Sequence, residues 1–268
     1  MASGAGMVIA TTVGAGVFVS AGFMAQSMGP GPILLSWIAG AAIALAGTLA
    51  YAGVAQLVPR SGGEYRYLSE LLHPALGYLA GWASLLVGFS APVAVDAWAA
   101  ASYAGTLFAS GPAPRLLAAV LIVALSATHA IGQRSSKWTQ DLLAIAKCAL
   151  LAGFIGVGLA LGAHRWPSWA APQPESGFPL WPFMTSLLYV AFAFSGWNTA
   201  AYAAGEFRDP RRDVPRALLI GCAAVAVMYL LVNWIFVANL TPAQARAALD
   251  SEAARATEVN PLVALRYD

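Results

Sequence analysis

Apolar residues run through this chain in long blocks rather than in strict alternation with polar ones. A helix that crosses a bilayer needs about 20 mainly apolar residues. Seven blocks reach that length, over roughly 7–27, 31–57, 76–109, 115–131, 140–162, 181–205 and 215–239. Near-continuous runs predict helices, not the dyad pattern of a membrane barrel. The segments Gly29-Pro30-Gly31-Pro32 and Gly111-Pro112-Ala113-Pro114 read as tight turns between spans. The third block is long enough to tilt or bend, with Pro92 as the expected kink. The expected fold class is an all-α membrane protein with about seven transmembrane helices.

Composition sharpens this picture. The 268 residues are 59% hydrophobic and only 10% charged, against about 25% charged in soluble proteins. The first formal charge is Arg60, after two full apolar blocks. Too little polar surface remains for a soluble enzyme, a nucleic-acid binder or a disordered chain. The partners expected are a lipid bilayer and a small molecule, with no nucleic acid.

The basic residues orient the chain. Arg60, Arg66, Arg134, Lys137, Arg208, Arg211, Arg212 and Arg216 follow the second, fourth and sixth spans. Arg115, Arg165, Arg246, Arg255 and Arg266 lie on the other side, three of them in one tail. Short loops rich in Lys and Arg stay inside. A multi-pass protein of the cytoplasmic (plasma or inner) membrane follows, with its N-terminus inside. The stretch Pro59–Tyr67 continues into Leu68, Leu71 and Leu72 at helical spacing, which fits a short interfacial helix. Cys148 and Cys222 sit in apolar runs and read as small core residues. His73, His129 and His164 fall apart from one another near span ends. With no Cys/His cluster and no catalytic signature, neither a metal site, a cofactor nor an enzyme is expected.

Two spans carry breaks. The first is Thr11-Thr12-Val13-Gly14-Ala15-Gly16-Val17-Phe18; the second is Phe192-Ala193-Phe194-Ser195-Gly196-Trp197-Asn198-Thr199. Each puts glycines and hydroxyls halfway across the membrane, where unwound backbone is tolerated only along a cavity or protein interior. Glycine also serves close helix packing, as Gly77/Gly81 and Gly158/Gly162 are expected to do. The breaks fall in spans 1 and 6, five apart, as an inverted repeat would place them. The domain expectation is a first five-helix repeat over 1–162, an outer loop over 163–180, spans 6 and 7 over 181–239, and an outer tail over 240–268.

Four passages, in order, resemble the amino acid–polyamine–organocation superfamily of secondary transporters. They are Gly14-Ala15-Gly16-Val17-Phe18, Pro59-Arg60-Ser61-Gly62-Gly63-Glu64-Tyr65, Phe194-Ser195-Gly196-Trp197-Asn198, and Glu206 through Pro210 to Pro215-Arg216. Bacterial amino acid permeases and L-type amino acid transporters are the nearest in pattern. The resemblance implies a leucine-transporter-type inverted-repeat fold, incomplete here, with a central site between spans 1, 3, 6 and 8. Amides of Ala15, Gly16 and Val17 would face a substrate carboxylate. Carbonyls near Phe192, Ala193 and Ser195 would accept from its ammonium. Thr12, Gly14, Gly196, Trp197 and Asn198 complete the expected site, with Phe192 as a gate. Phe192, Phe194 and Trp197 are equally readable as core aromatics.

Two charges lie deep in spans. The resemblance makes Lys147 a stand-in for a sodium ion, hence a coupling residue; the alternative is a lysine that snorkels to the inner face. Asp96 matches no part of the family pattern and is open between a second polar site and a pairing role. Gly53 stands where the family often has an acidic residue. The expected function is secondary active, sodium-independent transport of amino acids by proton coupling or exchange. Rival expectations are a permease for polyamine- or ethanolamine-type cations and a non-transporting membrane subunit. A span 8 and later C-terminal spans are expected to be required for a complete transporter.

Overall fold

A computed structural model describes residues 2–25, 27–105, 113–162, 166 and 178–239. The outer tail over 240–268, most of the outer loop over 163–180 and part of the Gly111–Pro114 turn lie outside the described residues. Every regular element among the described residues is helical. They are α1 (Ala2–Thr12), α2 (Gly16–Ala25), α3 (Pro30–Leu57), α4 (Gly63–Leu71), α5 (Pro74–Ala83), α6 (Ala91–Gly105), α7 (Pro114–Ile131), α8 (Gln133–Leu161), α9 (Leu180–Ala193), α10 (Thr199–Tyr202) and α11 (Pro210–Asn239).

Among the described residues five helices are long and apolar enough to cross a membrane, and a sixth span results if the interrupted pair Gly4–Thr12 and Gly16–Ala25 counts as one. The sixth expected span is the one that falls short of a full crossing, because α9 ends after 14 residues at Ala193. Its interruption at Phe194–Asn198 is the second break read from the sequence.

Three boundaries differ from the expected ones. The irregularity near Pro92 sits one turn earlier, as a π-helical stretch over Ser84–Ser90 between α5 and α6. A proline ring clashes with the carbonyl four residues before it, here Gly88, and a wider turn moves that group aside. Accordingly the Ala91 amide donates five residues back, to the Leu86 carbonyl. The basic loop before the last span is partly helical, since α11 starts at Pro210. Pro210 sits at the first helical position, where its missing N–H costs nothing. The Arg212 and Asp213 amides donate to the Asp209 carbonyl at 3.1 and 2.8 Å. Likewise α8 begins at Gln133 and not near 140. The short helix foreseen after Arg60 is α4.

The chain divides into two compact units: 1–14, 48–150 and 197–221 form one, and 15–47, 151–196 and 222–268 the other. Small residues build the core of the first. Val8, Ala55, Val58, Tyr67, Ala200, Ala201, Val214, Ala217 and Leu218 are all buried there. Alanines let helix backbones approach closely, which is how membrane helices pack without a hydrophobic driving force. The second unit has a larger-grained core. Trp37 stands 5.6 Å from Tyr229, and Phe194 stands 5.1 Å from Tyr229, ring centre to ring centre. Ser186 donates to Ser36 at 2.7 Å within the same core. By contrast α5, α7 and α8 leave Leu79, Trp82, Val123, Leu143 and Leu150 exposed. Apolar surface of that extent suits lipid, not water. Cys222 is buried and Cys148 half-buried, neither in a disulfide.

Gly63 and Gly53 should respond oppositely to alanine. Gly63 has φ of +52° and a Cβ there would lie 2.7 Å from the Tyr202 ring. Gly63→Ala is expected to destabilise by about 2 kcal/mol or more through strain and overpacking. Nothing lies within 4 Å of a Cβ at Gly53, inside α3, so Gly53→Ala should stabilise by about 0.5–1 kcal/mol. Thermal unfolding of both variants in detergent checks the pair of signs.

Candidate functional site

The first break begins where α1 runs out of backbone partners. The last four carbonyls of a helix have none of their own. The Val13 amide takes the Ile9 carbonyl at 3.0 Å. Two further carbonyls go to a side chain 134 and 137 residues away. The Lys147 ammonium donates to the Val13 carbonyl at 2.8 Å and also to the Ala10 carbonyl. This ammonium therefore caps the negative end of α1. Asp96, on α6, interacts electrostatically with Lys147.

The threonines at this helix end turn back on it. Thr12 Oγ1 donates to the Val8 carbonyl at 2.7 Å, and Thr11 Oγ1 to the Met7 carbonyl at 2.8 Å. Such back-bonding bends helix ends. Thr12 is buried, so it shapes the break and presents no surface of its own. Gly14 has an ordinary negative φ, and a Cβ there would meet only the Thr12 carbonyl, 4.0 Å away. Glycine is not required at that position. In the same unit Trp197 packs its ring against Tyr51, 5.2 Å between centres. Asn198 gives its side-chain amide to a Glu64 carboxylate oxygen. Thr199 Oγ1 donates to Thr11 Oγ1 at 3.0 Å.

The second unit holds the other expected residues. Gly16 opens α2, and a Cβ on it would lie 3.1 Å from the Ala193 Cα and 3.6 Å from the Phe192 ring. Glycine is needed here for close approach. The amides of Gly16 and Val17 lie in the first turn of α2, where no earlier carbonyl of that helix can serve them. Val17 itself is fully buried. The donating end of α2 therefore lies against the accepting end of α9. Local bonds also reach that end: the Ser195 amide donates to the Phe192 carbonyl at 2.9 Å, and the Tyr229 hydroxyl to the Ala193 carbonyl at 3.0 Å. Each carbonyl retains a second lone pair. Gly196 has φ of +103°, a left-handed turn that glycine adopts freely.

The aromatics separate by burial. Phe194 is 2% exposed and Phe192 is 51% exposed. Phe194 is thus core, Trp197 is half-buried against the core of the first unit, and Phe192 is exposed. The sequence missed Glu64, Tyr202 and Tyr229 as parts of the site. Glu64 stood in a recognised loop, yet nothing local points to a partner 134 residues away. Tyr229 lies in an apolar run that offers no signal at all.

The chain resembles known proteins over almost its whole length. Residues 2–255 match the family described as amino acid permease. The chain is 31% identical over 253 residues to the b(0,+)-type amino acid transporter 1 of Mus musculus, covering 90% of this chain and 51% of that protein. It is 31% identical over 266 residues to the Homo sapiens protein of the same name, covering 95% and 53%. It is 28% identical over 256 residues to the Homo sapiens large neutral amino acids transporter small subunit 2, covering 90% and 47%. The chain spans about half the length of the curated relatives it matches. With its breaks, its lysine cap and a match running from residue 2 to residue 255, this chain belongs to the amino acid permease family.

Proposed function

We propose that this chain carries the substrate-binding breaks of a sodium-independent secondary transporter for amino acids. The observation that carries the reading is the apposition of Gly16 and Ala193, the first residue of α2 and the last of α9. A helix start is electropositive and a helix end electronegative. A zwitterion set beside that pair meets amides with its carboxylate and carbonyls with its ammonium. Phe192 closes over it as a gate. The relatives are named for amino acid transport, which agrees with this chemistry.

Lys147 supports sodium independence. A fixed ammonium occupies the carbonyls of Ala10 and Val13, which a free cation would otherwise need as ligands. Coupling then runs through protons or exchange. Alternating access about the two breaks moves the substrate, with 1–162 and 181–239 as parts of inverted repeats. The membrane is the plasma or inner membrane, with the N-terminus in the cytoplasm. A permease for organic cations is less favoured, because the relatives are named for amino acid transport.

Three outcomes test this reading in proteoliposomes holding the full-length transporter. Gly16→Val drives a side chain into the α9 backbone and should reduce amino acid uptake to background, while Gly14→Ala retains it. Replacing sodium by choline should leave wild-type uptake unchanged. Lys147→Met keeps length and removes the charge, and should lower uptake at least about tenfold, the scale of a lost buried charge. Loss of uptake in choline would overturn sodium independence.

A further inference from the structure

The loop that precedes α4 does more than connect. Ser61 Oγ accepts the Gly205 amide at 2.8 Å. Gly62 and Gly63 have φ of +126° and +52°, so the chain turns sharply and lays its backbone against the Tyr202 ring. Glu64 follows at once, and its two carboxylate oxygens accept from Asn198 and from the Tyr202 hydroxyl. Tyr202 also reaches Ser84 Oγ at 3.4 Å. Three points of one short loop thus grip residues 198–205, the exit of the sixth-span break.

The charge of Glu64 is unusual in its partners. Arg60 and Arg66 flank it in sequence, yet both pair with Glu70 instead, at 3.4 and 3.5 Å. Neutral donors hold Glu64, and a carboxylate strengthens each such bond. Around it stand Tyr51 and Tyr67, their rings 5.1 Å apart. Burial, and then the Glu64 carboxylate, push the Tyr67 hydroxyl up to about 12, so Tyr67 stays neutral beside it. The same α10 that Glu64 holds through Asn198 and Tyr202 is tied to α1 by Thr199 and Thr11. The α1 end is tied in turn to Lys147. Through these side-chain bonds and the last turn of α1 between them, the lysine cap and Glu64 are connected.

We propose that Glu64 is a positioning residue for transport: by holding Asn198 and Tyr202 together it sets the geometry of the sixth-span break and links it to Lys147. The inference rests on the function proposed above. It assigns Asn198 to the scaffold of the site, oriented by a carboxylate outside the break.

A coupling experiment tests it in the full-length transporter. Uptake of radiolabelled leucine and arginine is measured for Glu64→Ala, Glu64→Gln, Asn198→Ala and the double variant Glu64→Ala with Asn198→Ala. Each single alanine variant should raise KM at least about tenfold, the size of one charged hydrogen bond. The double variant should be no worse than the poorer single one, since both remove the same link. Glu64→Gln keeps one acceptor and should recover most of the loss. Independent effects that multiply, or an unchanged KM in Glu64→Ala, overturn the proposal.

A second readout needs no transport. A Cβ at Gly205 lies 3.0 Å from Ser61 Oγ, close enough for a disulfide between cysteines at the two positions. In a Cys148→Ala, Cys222→Ala background, the pair Ser61→Cys and Gly205→Cys should crosslink quickly when diamide is added as the two-electron oxidant, and adding Glu64→Ala should slow it about tenfold or more. Equal crosslinking rates overturn the proposal. If crosslinking depends on Glu64 while wild type takes up neither amino acid, the positioning role stands and the transport reading falls.

Discussion

A helix in hydrocarbon can stop only where another group takes over its backbone hydrogen bonds, because no water is there to do so. That constraint governs both breaks in this chain. At the end of α1 the substitute is the Lys147 ammonium, which takes two carbonyls at once. At the end of α9 it is the Ser195 amide and the Tyr229 hydroxyl. Each break is thus held open by a group from elsewhere in its own unit.

Charge follows the same rule. A deep ammonium is costly unless paired with carbonyls or a carboxylate. Lys147 has the carbonyls of Ala10 and Val13. Glu64 is satisfied differently, by neutral donors on the far side of the break. Arginines that could neutralise it pair with Glu70. A carboxylate without a cation keeps its donors tightly oriented, and the donors here are the residues that lead out of the break.

Glycine content alone says little about which glycines matter. Gly14 and Gly16 look alike in the first break, yet only Gly16 meets a neighbour's backbone. Gly196 is needed for its backbone angle and Gly63 for both angle and space. Gly158 matches its packing expectation, since a Cβ there would lie 2.6 Å from Ile235. Gly53 has open space around it. The difference lies in which helix passes nearby, and that is a matter of tertiary packing.

The sequence by itself determined the class, the interruption of spans 1 and 6, the short helix after Arg60 and the family likeness. These are local: hydrophobic length, glycine and proline placement, and contiguous motifs carry them. Lys147 and Asp96 stood out for the same reason, as charges in apolar runs. Tertiary structure alone decided the seating of Lys147 on the α1 carbonyls, the back-bonded role of Thr12, the commitment of Asn198 to Glu64 and the service of Tyr229 to Ala193. It also separated Phe192 from Phe194 by burial. Hydrogen bonds between residues more than a hundred positions apart leave no periodic trace in a single chain, because either partner looks ordinary until the fold brings the other to it.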